Sequence, residues 1–213
     1  MTQAPPEGFM AVPSTGSGPG VLVLHAWWGL NETMKEFCSR LADEGFVTFA
    51  PDLYHGRVAQ TIEEAEGLVQ AMNEDQGRAA KEVAQAAAFL SERAQESEGG
   101  LAVIGFSLGA AYALDLAAEE PERIVKVVLY YGVGAADNSR SRAAYLGHFA
   151  EEDPYEPLEY VTELEAELKD AGRPVTFYTY EGAKHWFCEP DRPEYKEQEA
   201  ELAWERTVAF LKM

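Results

Sequence analysis

Cysteine is nearly missing from this chain: Cys38 and Cys188 are the only two in 213 residues. They make no disulfide framework and show no metal-ligand spacing. Cys38 falls in a helical stretch and reads as a small core residue, whereas Cys188 follows His185 closely enough to lie near any chemistry there. Positive charge is scarce as well. Seventeen Lys and Arg face 37 Asp and Glu, for a formal net charge of −20. Nucleic acid and anionic membrane surfaces would be repelled, so neither is expected as a partner. The acidity reads as a solvated surface that favours solubility. No apolar run approaches the length of a membrane span. The stretch Met1-Thr2-Gln3-Ala4-Pro5-Pro6 has neither a basic nor an apolar targeting region, so a cytoplasmic location is expected. Internal repeats and low-complexity tracts are absent too.

What is present suits one domain spanning residues 1–213: 46% of the residues are hydrophobic, enough for a sizeable core and too many for disorder. Strand-like and helix-like segments alternate throughout. Val21–Leu24 reads as a buried strand, followed by a helix from the cap Asn31 to Glu44 and a stop at Gly45. Phe46–Ala50 is a strand closed by Pro51, and Thr61 with Glu64 forms a capping box. A longer helix is expected from near Asp75 to Gln95. Further strands are predicted at Leu101–Ile104, Ile124–Tyr131, Ala143–Phe149 and Pro174–Tyr180, with helices at Pro157–Ala171 and Tyr195–Leu211. Phe9–Val12 reads as an antiparallel edge strand. Short strands alternating with helices imply an α/β fold with a mostly parallel sheet and helices on both faces. Active sites of such sheets lie at the carboxyl ends of the strands.

The most informative segment is Gly105-Phe106-Ser107-Leu108-Gly109, set between an apolar strand and an alanine-rich helix. G-x-S-x-G in that setting is a nucleophile elbow, a strained turn that lifts a serine hydroxyl above the sheet. A serine hydroxyl needs a general base, and in this architecture the order is serine, acid, histidine. Of the four histidines, His25 and His55 precede Ser107 and fail on order. His148 lies inside an apparent strand and reads as a packed or edge residue. His185, on the expected loop Glu181–Phe187, is the candidate base. Asp153 follows the strand ending at Phe149 and is the candidate acid, with Glu151 and Glu152 as rivals. Asp115, Asp137 and Asp170 read as helix or turn residues. The backbone N–H of Leu108, at the helix head, is one expected oxyanion donor. Trp27, after the first core strand, is the other.

Trp28-Gly29-Leu30-Asn31, Pro51-Asp52-Leu53-Tyr54, the elbow, Tyr130-Tyr131-Gly132, Asp153-Pro154-Tyr155-Glu156-Pro157, Gly182 to Phe187 and Glu205-Arg206-Thr207 together resemble the dienelactone hydrolase family of α/β-hydrolases over nearly the whole chain. The resemblance implies hydrolysis of an ester-type bond without metal or cofactor, in an α/β-hydrolase fold. Between Tyr131 and Ala143 there is no room for a lid domain. Members that open dienelactone carry a cysteine nucleophile, where this chain has Ser107, and a glutamate that activates it, where this chain has Ala26. They also hold a substrate carboxylate with arginines. Here the corresponding stretch carries Glu63, Glu64 and Glu66, and the position four residues after the histidine is Glu189. An acidic rim would repel a carboxylate. A small neutral or cationic ester is therefore the expected substrate, with a thioesterase or other acyl hydrolase on the same residues, or a true dienelactone hydrolase, as the alternatives and a non-catalytic binding module as the alternative from another class. Trp28, Tyr54, Trp186 and Phe187 are expected pocket walls. The oligomeric state is left open, a monomer being preferred.

Overall fold

The structure is a computed structural model that describes residues 5–75, 77–95 and 99–213. The expectations that run through residues 1–4 and Gln76 lie at those points outside the described residues. The chain divides into two compact units, Met1–Leu101 and Ala102–Met213.

The first unit contains β1 (Gly8–Ala11), β2 (Gly20–Leu24), β3 (Val47–Pro51), α1 (Glu32–Asp43), α2 (Ile62–Glu74) and α3 (Arg78–Ser91), with strands in the order β1-β3-β2. β2 and β3 pair in parallel from Gly20↔Val47 to Leu22↔Phe49, and both are buried along their whole length. Such strands need near-continuous apolar sequence. β1 runs antiparallel along the other side of β3, as expected of an edge strand. The expected cap of α1 is made: Asn31 Oδ1 accepts from Met34 N–H at 3.0 Å. Thr61 Oγ1 caps α2 by accepting from Glu64 N–H at 3.2 Å, but the returning Glu64 carboxylate takes the N–H of Gln60 at 2.7 Å rather than that of the cap itself. α3 is shorter than expected. Past Ser91 the chain is drawn away from the helix, and Gln95 N–H donates to Gly18 O at 2.9 Å beside an isolated parallel bridge to Pro19. Tertiary pairing overrides helical propensity there.

The second unit begins within β4 (Leu101–Phe106) and continues through α4 (Leu108–Glu119), β5 (Ile124–Tyr130), β6 (Ala144–Glu152), α5 (Leu158–Asp170), β7 (Val175–Lys184) and α6 (Glu197–Lys212), in strand order β4-β5-β6-β7. β4 is buried at every residue. β5, β6 and β7 pair in parallel. β6 and β7 both run past their expected ends. Their pairing is regular from Tyr145↔Val175 to Ala150↔Tyr180, then shifts and resumes at Glu152↔Lys184. The bulge this requires sits on β7, where Glu151 Oε2 accepts from Gly182 N–H at 2.8 Å. Glu181–Lys184 is therefore strand rather than the loop read from the sequence, because pairing with the extension of β6 satisfies its backbone. Among the described residues, no helix is long and apolar enough to cross a membrane.

Candidate active site

Three candidate residues meet in the second unit. Ser107 joins β4 to α4 with φ 48° and ψ −113°, a conformation costly for a residue with a Cβ. Its N–H continues the ladder by donating to Tyr130 O at 2.9 Å, and its carbonyl accepts from Ala110 N–H at 2.8 Å. The turn closes only because two neighbours lack side chains. A Cβ on Gly105 would lie 2.4 Å from Gly109 O, and one on Gly132 would lie 2.4 Å from Ser107 O. Of the four described non-glycine residues with positive φ, three (Ser107, Tyr131 and Trp186) belong to this site. Strain gathered in this way is a mark of a functional site.

His185 and Asp153 come together through the register of β6 and β7. Because Glu152 pairs with Lys184 in parallel, the next residues, Asp153 and His185, leave their strands side by side. His185 Nδ1 is 2.7 Å from Asp153 Oδ2, and His185 Nε2 is 2.8 Å from Ser107 Oγ. The carboxylate assigns the tautomer: Nδ1–H donates to Asp153, leaving the Nε2 lone pair for the serine hydroxyl. Both side chains are almost wholly buried. Asp153 Oδ1 also accepts from the N–H groups of Tyr155, at 2.9 Å, and Glu156, at 3.0 Å. The rival carboxylates do other things: Glu151 holds the β7 bulge and Glu152 is exposed.

The other expected residues fall into place more variously. Leu108 is the first residue of α4, where its N–H has no intrahelical partner. Trp27 lies in the first unit after β2, half-buried, its ring edge-on to Trp28 at 5.5 Å. Trp28, Tyr54, Trp186 and Phe187 are all buried. Trp186 stands perpendicular to the imidazole of His185 at 5.0 Å, and Phe187 packs between Tyr131 and Tyr180. His25 is a structural residue that donates Nδ1–H to Ala26 O at 2.7 Å and accepts from Leu53 N–H at 3.3 Å. His148 is equally satisfied, by Tyr180 Oη at 2.8 Å and Thr207 Oγ1 at 3.0 Å. Cys38 is wholly buried, its thiol pushed up to about 12. Burial and the adjacent Glu189 raise the Cys188 thiol well above its usual range, which disfavours the thiolate. Among the described residues, no group of three or more His, Cys, Asp or Glu could hold a metal ion.

Glu189 departs from expectation. It is fully buried rather than part of an acidic rim, and Tyr131 Oη donates to its Oε1 at 2.9 Å. Helical or strand periodicity could not have announced this, because Glu189 lies in neither element. Sequence reasoning also missed that Tyr155 flanks His185, with ring centroids 5.1 Å apart. Glu156 is half-buried beside Asp153. Burial pushes its carboxyl up to about 7, against a hydrogen bond with the Val133 backbone.

The model of the dienelactone hydrolase family matches residues 7–213. The chain belongs to the dienelactone hydrolase family. It is 33% identical to Protein usf of Aquifex pyrophilus, over 97% of this chain and 92% of that one. It is 31% identical to the carboxymethylenebutenolidase of Pseudomonas sp. strain P51, over 95% of this chain and 88% of that one. Among solved structures, a dienelactone hydrolase-like promiscuous phosphotriesterase from metagenomic libraries superposes with a TM-score of 0.83 at 23% identity, covering 96% of this chain and 91% of the other. An alpha/beta hydrolase enzyme from a Medee basin deep-sea metagenome library gives 0.71 at 17%, covering 94% and 88%. The fold is thus that of the α/β-hydrolases, as expected. This dienelactone hydrolase family member is a hydrolase acting on ester or lactone bonds.

Proposed function

We propose that this protein cleaves small neutral carboxylic esters through an acyl-enzyme formed on Ser107. The observation that carries the reading is the unbroken chain from Ser107 Oγ through the imidazole of His185 to Asp153, with links of 2.8 and 2.7 Å. Ser107 attacks the carbonyl carbon while His185 Nε2 takes its proton. Asp153 holds the tautomer and stabilises the imidazolium that forms. The N–H of Leu108 donates to the oxyanion, aided by the positive end of α4. His185 then returns the proton to the departing alcohol. Water, deprotonated by the same imidazole, attacks the acyl carbon and frees the acid and the serine.

Charge supports a neutral substrate. A net charge of −20 disfavours the approach of an anion. Glu189, buried and acidic, offers a substrate carboxylate no cation. The name carboxymethylenebutenolidase, borne by the Pseudomonas relative, supports a second reading in which the ester is closed into a lactone ring. The bond broken and the steps are the same.

The test is hydrolysis of short p-nitrophenyl esters, matched thioesters and a lactone by wild type and Ser107→Ala side by side. Loss of at least about 10⁴-fold in kcat, with an unchanged thermal melt, is expected for the variant. Wild-type rates in that variant would refute the reading, and the order of rates across the panel separates ester, thioester and lactone.

A further inference from the structure

Hydrogen bonds to Ser107 and Asp153 fix the two nitrogens of His185 but leave the tilt of its ring to whatever packs on its faces. Three aromatic rings do so: Trp186 at 5.0 Å, and Tyr131 and Tyr155 each at 5.1 Å. Tyr131 is the one that is wholly buried and held at every end. Its N–H donates to His148 O at 2.8 Å. Its backbone sits at φ 39°, and the next residue, Gly132, abuts the carbonyl of Ser107. One residue therefore has its backbone run toward the nucleophile and its ring against the base. The ring's far end is held by Glu189, whose Oε1 accepts from the tyrosine hydroxyl at 2.9 Å. Glu189 has no exposed surface, and its Oε2 is buried without a hydrogen-bond partner. A carboxyl in that position is held at an energetic cost, which asks for a purpose.

We infer that Tyr131 and Glu189 form a positioning pair for His185: the Glu189 carboxyl anchors the tyrosine hydroxyl, and the anchored ring sets the tilt of the imidazole between Ser107 and Asp153. The inference rests on the role proposed above for His185. Glu189 serves in its neutral form. Burial pushes its carboxyl up to about 8, and Asp191 and Glu194 add to this while Tyr131 and Arg192 oppose it. An amide should therefore replace it.

Kinetics of Tyr131→Phe, Glu189→Leu and Glu189→Gln at pH 7 test the pair, with Ser107→Ala in the same assay and circular dichroism to confirm folding. Tyr131→Phe and Glu189→Leu are expected to lower kcat about tenfold with KM within about twofold of wild type. Glu189→Gln, which keeps the acceptor oxygen, is expected to hold kcat within about twofold. A folded Tyr131→Phe with wild-type kcat overturns the inference. So does a change confined to KM, or a Glu189→Gln as slow as Glu189→Leu. If Glu189→Leu does not fold, the other two variants decide. Activity in Ser107→Ala would instead undo the underlying reading of the site.

Discussion

The turn that carries Ser107 and the strand ends that carry Asp153 and His185 achieve precision in opposite ways. The turn is local. Its shape is stored mostly within the elbow, in the positive φ of Ser107 and the missing side chain of Gly105, while the bare Gly132 after β5 leaves room for the Ser107 carbonyl. Asp153 and His185, by contrast, are far apart in sequence and depend on two strands being paired in one register past a bulge. A local device fails when an atom is added to it. A device made by register fails when a partner is lost or the strands slip.

The comparison can be broken first at the acid. Asp153→Asn leaves the shape of the strand ends intact but favours the wrong tautomer of His185, so kcat is expected to fall about 10³- to 10⁴-fold with little change in thermal melt. A loss under tenfold would mean that the acid is not needed to hold the base. The turn should break differently. In Gly132→Ala the new Cβ would meet Ser107 O at 2.4 Å and the Ala110 Cβ at 2.7 Å, so backbone must move. A destabilisation of about 3 kcal/mol in urea titration, with activity lost alongside, is the expected result. Full stability with activity intact would show that the close approach is dispensable.

Acid should sharpen the contrast. His148 lies on β6, and burial, with the charge of Arg206, pushes it down to about 3 from 6.5. A histidine depressed in the folded state binds fewer protons than in the unfolded chain between those values. Its contribution is therefore present above about pH 6.5 and is lost as the pH falls toward 3. Urea midpoints should decline over that window, and less steeply in His148→Gln; parallel slopes would dismiss His148 as the cause. The smallest effect is expected at the exposed neighbour of the acid. Glu152→Gln should leave the melt within about 0.5 kcal/mol and the rate within about twofold. A large loss of kcat there would move the acid's role from Asp153.

Much of this could be read from residue order. The elbow, the caps at Asn31 and Thr61, the edge strand near Phe9 and the packed character of His148 all depend on neighbours within a few positions or on plain apolar patterning. The loop expected over Glu181–Phe187 proved to be strand up to Lys184, because polar residues can extend a ladder when a partner strand is there to pair with. Glu189 looked like a surface charge and is buried, because its neighbour in space, Tyr131, is distant in sequence.

What the sequence determined alone was the turn that carries Ser107, the alternation of strands and helices, and the candidate order of serine, acid and histidine. Each is written in short-range chemistry: small residues where backbone crowds, capping oxygens where N–H groups are orphaned, and apolar runs where strands are buried. Only the tertiary structure decided which carboxylate meets His185, where β7 bulges to bring it there, and which glutamate lies hidden behind it. Those outcomes are set by register and by long-range contact, and a one-residue change of register alters them with no change in local sequence.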